Sequence, residues 1–270
     1  MNNIAKSFLK WPGGKFRALQ FLKPHLTPAK RMVEPFVGSG VVSLNTDYSN
    51  YLLCDANKDL ICLYQIIQNN HLSYIKESKK MFHQINNNAD SYYEIRNAFN
   101  ASTDVFLRSI YFLYLNRFGY NGLCRYNNSG IFNVPFGKYR QPYFPEKEII
   151  FFAEKTKSAV FECADFRQTL KKITSNDVVY CDPPYIPTSK TANFASYYIN
   201  KFNYECHASL ADLCGSIARN KKVRVVVSNS DTSVARDLYQ DSKIYFMQVQ
   251  RNISSKANTR VKASEILAVF

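Results

Sequence analysis

Residues 177–185 read DVVYCDPPY, an apolar run that ends in an acid, two prolines and a tyrosine. Proline lacks the N–H donor that a central strand needs, so the chain is expected to leave its strand at Asp182. Proline also keeps the preceding residue extended, which makes the turn stiff. Such a turn holds a carboxylate, a backbone carbonyl and an aromatic ring in fixed positions.

That arrangement suits one kind of chemistry. The lone pair of an exocyclic amine on a base such as adenine is delocalised into the ring, so the amine is a poor nucleophile. A carboxylate and a carbonyl that accept its two N–H bonds favour the nucleophilic form, provided that they are fixed before the reaction. Pro183 and Pro184 would fix the Asp182 carboxylate, and Tyr185 could stack on the base. We interpret the turn as a holder for a flat, amino-bearing ring.

A second motif, FVGSG at residues 36–40, follows an apolar run. Gly38 and Gly40 allow a sharp turn and a close backbone approach to a ligand. Asp55 ends the next predicted strand, where a carboxylate can accept hydrogen bonds from a ribose diol. The third glycine of GxGxxG is missing, which weighs against NAD and leaves other adenosyl cofactors open.

The elements that must position these residues follow from the apolar patterns. Strands are predicted at Met32–Phe36 and up to Asp55, with a helix starting over Ser39–Leu44. Residues 57–104 have a helical pattern, a buried helix follows to about residue 118, and NSG at 128–130 predicts a tight turn between short strands. Further strands are predicted in the segments AVFECADF, DVVYCDPP, KVRVVVSNS, KIYFMQVQ and ASEILAVF. Strands that alternate with helices predict a parallel α/β sheet, which residues 57–144 interrupt as an inserted second domain.

Charge indicates the partner. The net charge of +14 favours an anionic partner, most simply a nucleic acid. Residues 1–33 contain seven Lys or Arg and no acid, and residues 105–144 contain five Lys or Arg, no acid and twelve Phe or Tyr. Cations interleaved with aromatic rings suit phosphate contact and base stacking. The alternative is a basic surface over an aromatic core, which we expect for most of these rings.

Other classes of protein are not favoured. No apolar run approaches the ~20 residues of a membrane span, and the N-terminal residues lack the apolar core of a secretory signal. The seven cysteines form no CxxC pair, so no zinc site is expected. An odd number of cysteines without a signal predicts reduced thiols in a cytoplasm.

Several segments together resemble one family. FVGSG followed far downstream by DPPY resembles the amino-methyltransferases that use S-adenosylmethionine, and the motif order is that of the alpha group of DNA N6-adenine methyltransferases. The similarity to the Dam family within this group spans nearly the whole chain. It rests on the segments FLKWPGGK, VEPFVGSG, FLYLNRFGYNGLCRYNNSGIFNVPFGKY, VVYCDPPY, TANFASY and ISSKANTR. Pro12 departs from the alanine of the family motif KWAGGK.

The resemblance implies a fold and a domain organisation. The fold would be a Rossmann-like, S-adenosylmethionine-dependent methyltransferase sheet with an inserted, mostly helical target-recognition domain. Residues 1–56 and 145–270 would form the catalytic domain, and residues 57–144 would bind DNA. S-adenosylmethionine would be converted to S-adenosylhomocysteine without a metal, and the protein would act as a cytoplasmic monomer on double-stranded DNA.

The resemblance also implies roles for single residues. The cofactor would be lined by Trp11, Lys15, Phe36, Gly38, Asp55, Phe166 and Asp182. The flipped adenine would be held by Asp182, Pro183, Pro184 and Tyr185. Positions that meet the GATC bases or fill the space left by flipping would be Lys10, Tyr120, Asn121, Leu123, Arg125 and Pro135. Phosphate contacts would come from Arg117, Asn127, Asn133, Lys138 and Arg140.

The residue types support these roles to different degrees. Arg125 could bind guanine O6 and N7 with two hydrogen bonds, or it could hold a phosphate. Tyr120 could wedge into the base stack, or it could be a packing tyrosine. None of the four histidines is assigned a catalytic role, and Asp165 is interpreted as structural.

We therefore predict a DNA N6-adenine methyltransferase that acts on GATC. One alternative is an RNA or protein-glutamine methyltransferase, because related turns hold other amines. Another alternative is a non-catalytic DNA-binding regulator on the same fold, which the intact motifs speak against.

Overall fold

The computed structural model describes residues 4–187, 202–250 and 262–270 of the chain. The segments TANFASY (191–197) and ISSKANTR (253–260) lie outside the described residues. The described helices are α1 (Leu19–Leu22), α2 (Lys58–Lys79), α3 (Ala89–Ala101), α4 (Val105–Phe118), α5 (Glu146–Lys155), α6 (Phe166–Lys171), α7 (Tyr204–Lys221) and α8 (Ser233–Leu238). The described strands are β1 (Arg31–Glu34), β2 (Asn50–Asp55), β3 (Ala159–Cys163), β4 (Asp177–Cys181), β5 (Arg224–Ser230), β6 (Lys243–Gln250) and β7 (Lys262–Val269).

The chain forms two compact units, each built from separate segments. The first unit comprises residues 1–16, 38–45 and 57–163, and the second comprises residues 17–37, 46–56 and 164–270. The predicted insert, residues 57–144, lies wholly in the first unit. The roles of the two predicted domains stay predictions.

The sheet of the second unit carries six strands in the order β2-β1-β4-β5-β7-β6. Strands β2, β1, β4 and β5 pair in parallel, while β7 is antiparallel to both of its neighbours. The prediction of a parallel sheet is therefore wrong at this edge. Only 11 residues separate β6 from β7, fewer than the crossover of a dozen or more that a parallel pair requires.

The core of the second unit explains why these strands form. Val178 and Val179 of β4 and Val225–Val227 of β5 are almost completely buried, as expected for a sheet covered on both faces. Strand β1 has β2 on one side and β4 on the other, so the strand order reverses there. Open α/β sheets bind ligands outside the carboxyl ends of the strands at this switch point.

The first unit is a helical core with a turn-rich segment. Its three longest helices each begin at a side-chain cap: Asn57, Asn88 and Asp104 accept a backbone N–H three residues on. Most of the twelve aromatic rings of residues 105–144 are turned away from solvent, as expected, since four are buried and six are half-buried. Tyr120 and Tyr143 are exceptions, at 45% and 52% exposure.

Two local predictions differ from the structure. The helix predicted over Ser39–Leu44 is only a 3₁₀ turn at Ser43–Asn45. Gly40 has a φ of +69°, outside the helical region, and the β-branched Val41 and Val42 that follow disfavour a helix start.

The hairpin around NSG has isolated bridges, Tyr126 to Phe132 and Gly119 to Phe136, rather than strands. Gly122 and Pro135, which lie between these bridges, prevent a continuous ladder. The turn itself forms, with Gly130 at a φ of +74°.

Candidate active site

The acidic end of the DPPY turn lies at the carboxyl end of β4, at the switch point of the second unit. Strand β4 is buried throughout, Asp182 and Tyr185 are half-buried, and Pro184 is exposed. The Ser228 hydroxyl of β5 donates to Asp182 Oδ1 at 2.8 Å. Ser228 Oγ also lies 3.0 Å from the Tyr180 hydroxyl. The carboxylate is therefore oriented by the neighbouring strand.

The aromatic end of the turn is held by β5 and β7. The Tyr185 hydroxyl donates to Glu265 Oε2 at 2.9 Å. The Ile186 N–H donates to Asn229 Oδ1 at 3.0 Å, and the Ser230 hydroxyl donates to the Ile186 carbonyl. Burial raises the pKa of Tyr185 well above its usual value, with Asp182 adding to the effect. The phenol is therefore a hydrogen-bond donor at any working pH.

Asp55 lies at the carboxyl end of β2, as predicted. The Asp55 carbonyl accepts the N–H of Ala164 at 3.1 Å, which ties the segment before α6 to this strand end. The Val37 N–H donates to the Cys54 carbonyl at 2.8 Å. Glu34, which ends β1, is only 2% exposed. Two acids thus end neighbouring strands of the second unit, in addition to Asp182.

An aromatic cluster follows β1 in the second unit. The rings of Phe36 and Phe166 are stacked, with centroids 5.6 Å apart and planes 26° apart. Phe202 contacts both rings, at 5.6 Å and 5.4 Å. Asp165 begins α6 with a capping box, which confirms its structural role and fixes the start of the helix that carries Phe166.

Three further residues assigned to the cofactor lie in the first unit. Gly38 has a φ of +46°, and a Cβ there would meet the Trp11 Nε1 atom at 2.9 Å. The Gly38 carbonyl accepts the hydroxyl of Tyr64. Lys15 is 5% exposed, and its ammonium donates to the Gly13 carbonyl at 2.7 Å. Gly38 therefore packs directly against the Trp11 indole, and a side chain at this position would displace the indole.

The predicted DNA residues all lie in the first unit, beginning with Lys10. The Lys10 backbone exchanges two hydrogen bonds with the Asn116 side chain, at 2.9 and 2.7 Å. Its ammonium donates to the Arg117 carbonyl at 3.1 Å and lies 3.7 Å from the centre of the Tyr139 ring. Burial, followed by the charge of Arg117, lowers the pKa of Lys10 to about 8.

Tyr120 and its neighbours form a tight exposed turn. The Tyr120 N–H donates to the Pro135 carbonyl at 2.9 Å. Asn121 has a φ of +53°, and its N–H donates to the Tyr139 hydroxyl at 2.9 Å. Leu123 follows this turn and is half-buried. The Tyr120 ring is therefore presented on a backbone that is held on two sides.

The cations assigned to phosphates differ in exposure. Lys138 and Arg140 are exposed, whereas Arg117 is half-buried and donates from Nε to the Tyr143 carbonyl at 3.0 Å. Asn127 is exposed at the turn of residues 127–131, where its side chain accepts the N–H groups of Ser129 and Ile131. Arg125 and Asn133, also assigned to DNA, are hydrogen-bonded to each other.

Sequence reasoning missed several residues. Ser228, Asn229 and Ser230 contact the DPPY turn, and three polar residues in a row at the end of the apolar run VVV were a signal that could have found them. Glu265 and Tyr139 had no comparable signal. No group of three or more His, Cys, Asp or Glu side chains suited to a metal occurs within the described ranges, and no described helix is long and apolar enough to cross a membrane.

Comparison with known proteins identifies a matching family and several similar proteins. Residues 11–253 match the profile of the "D12 class N6 adenine-specific DNA methyltransferase" family. The chain is 47% identical to the DNA adenine methylases of Salmonella typhi and Escherichia coli K12, over 98% of this chain and 95% of each relative. It is also 47% identical to the DNA adenine methylase of Vibrio cholerae serotype O1, over 98% of this chain and 96% of that protein.

Proposed function

The chain belongs to the D12 class of N6 adenine-specific DNA methyltransferases, and from this membership we propose that it methylates the adenine of GATC in double-stranded DNA, with S-adenosylmethionine as methyl donor. The observation that carries the proposal is the fixed DPPY turn. Its carboxylate is oriented by Ser228 and its tyrosine hydroxyl by Glu265, at the edge of the sheet where α/β proteins bind ligands.

The residues assigned to S-adenosylmethionine fit that ligand chemically. The half-buried Asp55 carboxylate can accept hydrogen bonds from a ribose diol. Phe36 and Phe166 form an apolar, aromatic wall suited to an adenine ring. Gly38 keeps the backbone beside Trp11 free of a side chain. When bound, the cofactor would supply an activated methyl group on its sulfonium.

The protein's own contribution is to hold the target base. Asp182 and the backbone carbonyl of the turn would accept the two N–H bonds of the adenine amine, and the Tyr185 ring would stack on the base. Both acceptors are fixed before the base arrives, so little reorganisation accompanies the reaction. A base inside a duplex cannot reach such a turn, so the adenine must leave the helix first.

The exposed residues of the first unit support recognition of GATC. The Arg125 guanidinium can pair with a guanine edge, and Tyr120 is exposed on a backbone that is hydrogen-bonded on two sides. Lys138 and Arg140 are exposed, and each would neutralise a phosphate. We further propose that the protein acts as a monomer and in the cytoplasm, where bacterial DNA lies.

The alternatives are less well supported. Every relative compared above is a DNA adenine methylase, which disfavours RNA or protein glutamine as the substrate. A regulator without catalysis would not need the oriented Asp182 carboxylate.

One experiment tests the proposal. The protein is incubated with unmethylated plasmid and labelled S-adenosylmethionine, and modified bases are mapped by sequencing. We expect N6-methyladenine at GATC and a much lower rate at sites that differ by one base pair. Methylation spread over adenines regardless of sequence would contradict the GATC assignment and leave the activity intact.

A further inference from the structure

Four buried polar residues surround the DPPY turn. Ser228 and Asn229 are 0% exposed, Ser230 is 1% exposed and Glu265 is 5% exposed. A buried hydroxyl, amide or carboxylate is costly unless it is hydrogen-bonded. All four side chains form hydrogen bonds with residues 182–186. These four buried side chains therefore hold the DPPY turn in place.

The hydrogen bonds to Asp182 have a fixed direction. A carboxylate only accepts, so the single hydroxyl hydrogen of Ser228 is directed at Asp182 Oδ1. The Tyr180 hydroxyl, 3.0 Å from Ser228 Oγ, is then the donor to Ser228. Burial, together with the charge of Asp182, raises the pKa of Tyr180 well above its usual value and so keeps that proton in place. The three groups form one ordered chain that ends on the carboxylate.

The hydrogen bond to Tyr185 fixes the ring at its far end. A tyrosine ring anchored only at Cβ can swing, whereas a hydrogen bond from the hydroxyl to Glu265 restrains the direction of its face. Glu265 lies on β7, paired with Ser230 of β5 and Met247 of β6. An interior strand is a rigid support, and sites built on such elements are better defined than sites on loops.

We propose that Ser228 and Glu265 are positioning residues for methyl transfer, Ser228 through the Asp182 carboxylate and Glu265 through the Tyr185 ring. The inference rests on the proposed roles of Asp182 and Tyr185. Neither residue would touch the base. Ser228 restricts the rotation of the Asp182 carboxylate, and Glu265 restricts the rotation of the Tyr185 ring. Such preorganisation acts on the rate of the chemical step rather than on affinity.

A double-mutant cycle tests the Glu265 role. Glu265→Ala, Tyr185→Phe and the double variant are compared in single-turnover methylation of a GATC duplex, with DNA and S-adenosylmethionine saturating. We expect each single change to lower the rate about tenfold, and the double variant to be no slower than either. If the double variant is slower by the product of the two single losses in rate, or if Tyr185→Phe has the wild-type rate, the role of Glu265 is overturned. Tyr185→Phe keeps the ring, so it tests the role even if Glu265→Ala does not fold.

A conservative substitution of Glu265 distinguishes a positioning role from a role of its negative charge. Glu265→Gln keeps an acceptor for the Tyr185 hydroxyl, so it should recover most of the rate that Glu265→Ala loses. A Glu265→Gln protein as slow as Glu265→Ala would show that the negative charge matters instead. Fluorescence of 2-aminopurine at the target position gives a second readout, because the base brightens when it leaves the duplex stack and is quenched again when it stacks on the Tyr185 ring. The rise in fluorescence on protein binding should therefore be larger with Glu265→Ala and return to the wild-type level with Glu265→Gln.

Ser228 is tested by separating kcat from KM. Ser228→Ala should lower kcat about tenfold and leave KM for DNA and for S-adenosylmethionine unchanged. Ser242→Ala is the matched control, since its hydroxyl donates to the Tyr239 carbonyl and not to the turn. A fall in melting temperature with a normal kcat would reduce Ser228 to a packing role.

The outcomes also distinguish this inference from the proposed function. If Asp182→Ala retains its rate, the function assigned to the turn fails. If Asp182→Ala is inactive while Ser228→Ala and Glu265→Ala keep wild-type rates, only the positioning roles fail.

Discussion

Arg125 and Asn133 face each other across the turn of residues 127–131. The Arg125 Nε–H donates to Asn133 Oδ1 at 2.7 Å, and Nη2 donates to the Asn133 carbonyl at 3.2 Å. These bonds use two of the five N–H donors of the guanidinium and leave others to face outward. Arg125 is exposed, so its guanidinium is oriented by Asn133 without being buried.

Arg125→Ala tests whether this oriented guanidinium reads a base. We expect a cost of ~1–3 kcal/mol on GATC and much less on duplexes altered at the outer base pair, because only a cognate guanine offers two acceptors. The measurement is kcat/KM for both proteins on both duplexes. Equal proportional losses on every duplex would mean that Arg125 holds a phosphate.

Lys138→Ala and Arg140→Ala should weaken binding to every duplex alike. Each exposed cation that meets a phosphate releases about one counterion, so each variant should flatten the dependence of log K on log salt by about one. Binding is measured by fluorescence anisotropy over a salt series, with Lys171→Ala, an exposed lysine of the second unit, as control. A loss confined to GATC duplexes would instead assign base contacts.

Asp182→Ala should abolish methylation and leave duplex affinity within a few-fold of wild type. The carboxylate is expected to act on the flipped base, whereas the cations of the first unit are expected to supply the affinity. Single-turnover rates and duplex dissociation constants are measured in parallel. A variant with more than about a tenth of the wild-type rate has lost under ~1.4 kcal/mol, too little for the proposed role.

Asp55→Ala should weaken S-adenosylmethionine binding and leave DNA affinity unchanged. The expected hydrogen bonds run from the ribose diol to the carboxylate at the end of β2. Titration calorimetry compares the cofactor with an analogue that lacks the ribose hydroxyls. The analogue should bind both proteins equally, and unchanged affinity of the variant for the normal cofactor would remove Asp55 from the site.

Lys10 should give DNA binding a dependence on alkaline pH. Its pKa is lowered from 10.5 to about 8, so in the free folded protein its charge is lost as pH rises through about 8. The salt dependence of wild-type binding should therefore fall by up to about one charge between neutral pH and about pH 10, and that of Lys10→Gln should not.

The lowered pKa of Lys10 also determines how its contribution to stability changes with pH. Between about pH 8 and 10.5 the unfolded chain binds the Lys10 proton and the folded chain does not, so the contribution of Lys10 to stability rises with pH in that window. Thermal unfolding of wild type and Lys10→Gln at several pH values checks the sign. The free energy of unfolding of wild type relative to Lys10→Gln should rise from about pH 8 to 10.5, and a relative value that falls over this window would contradict the lowered pKa.

Much of the second unit was predictable from local patterns. The positions of Asp55 and Asp182 at strand ends follow from apolar runs that stop at an acid, and Pro183 sharpens the second boundary. In both units, caps such as Asp104 and Asp165 likewise lie directly before the helices they begin. Strand ends and helix caps depend on residues that are neighbours in sequence, so local sequence patterns predict them.

The supports of the site were not predictable in this way. Tyr185 and Glu265 are 80 residues apart, and their contact depends on β7 entering the sheet beside β5. Nothing in the local composition of ASEILAVF marks Glu265 as a partner of a tyrosine. Tyr139, which contacts both Lys10 and Asn121, likewise has no sequence signal that predicts these contacts. Long-range pairing, rather than propensity, decides such contacts.

The placement of β7 also bears on synthesis. Strand β7 follows β5 and β6 along the chain but lies between them, so β6 cannot take its final place, and β5 is paired only with β4, until residues 262–269 have left the ribosome. Until then β5 has an open edge, and the partner of Tyr185 does not exist. A nascent chain should therefore hold the Tyr185 ring less firmly, and a chain cut short before β7 should expose a strand edge prone to aggregation. The positioning that we infer for Tyr185 thus depends on the described strand that is translated last.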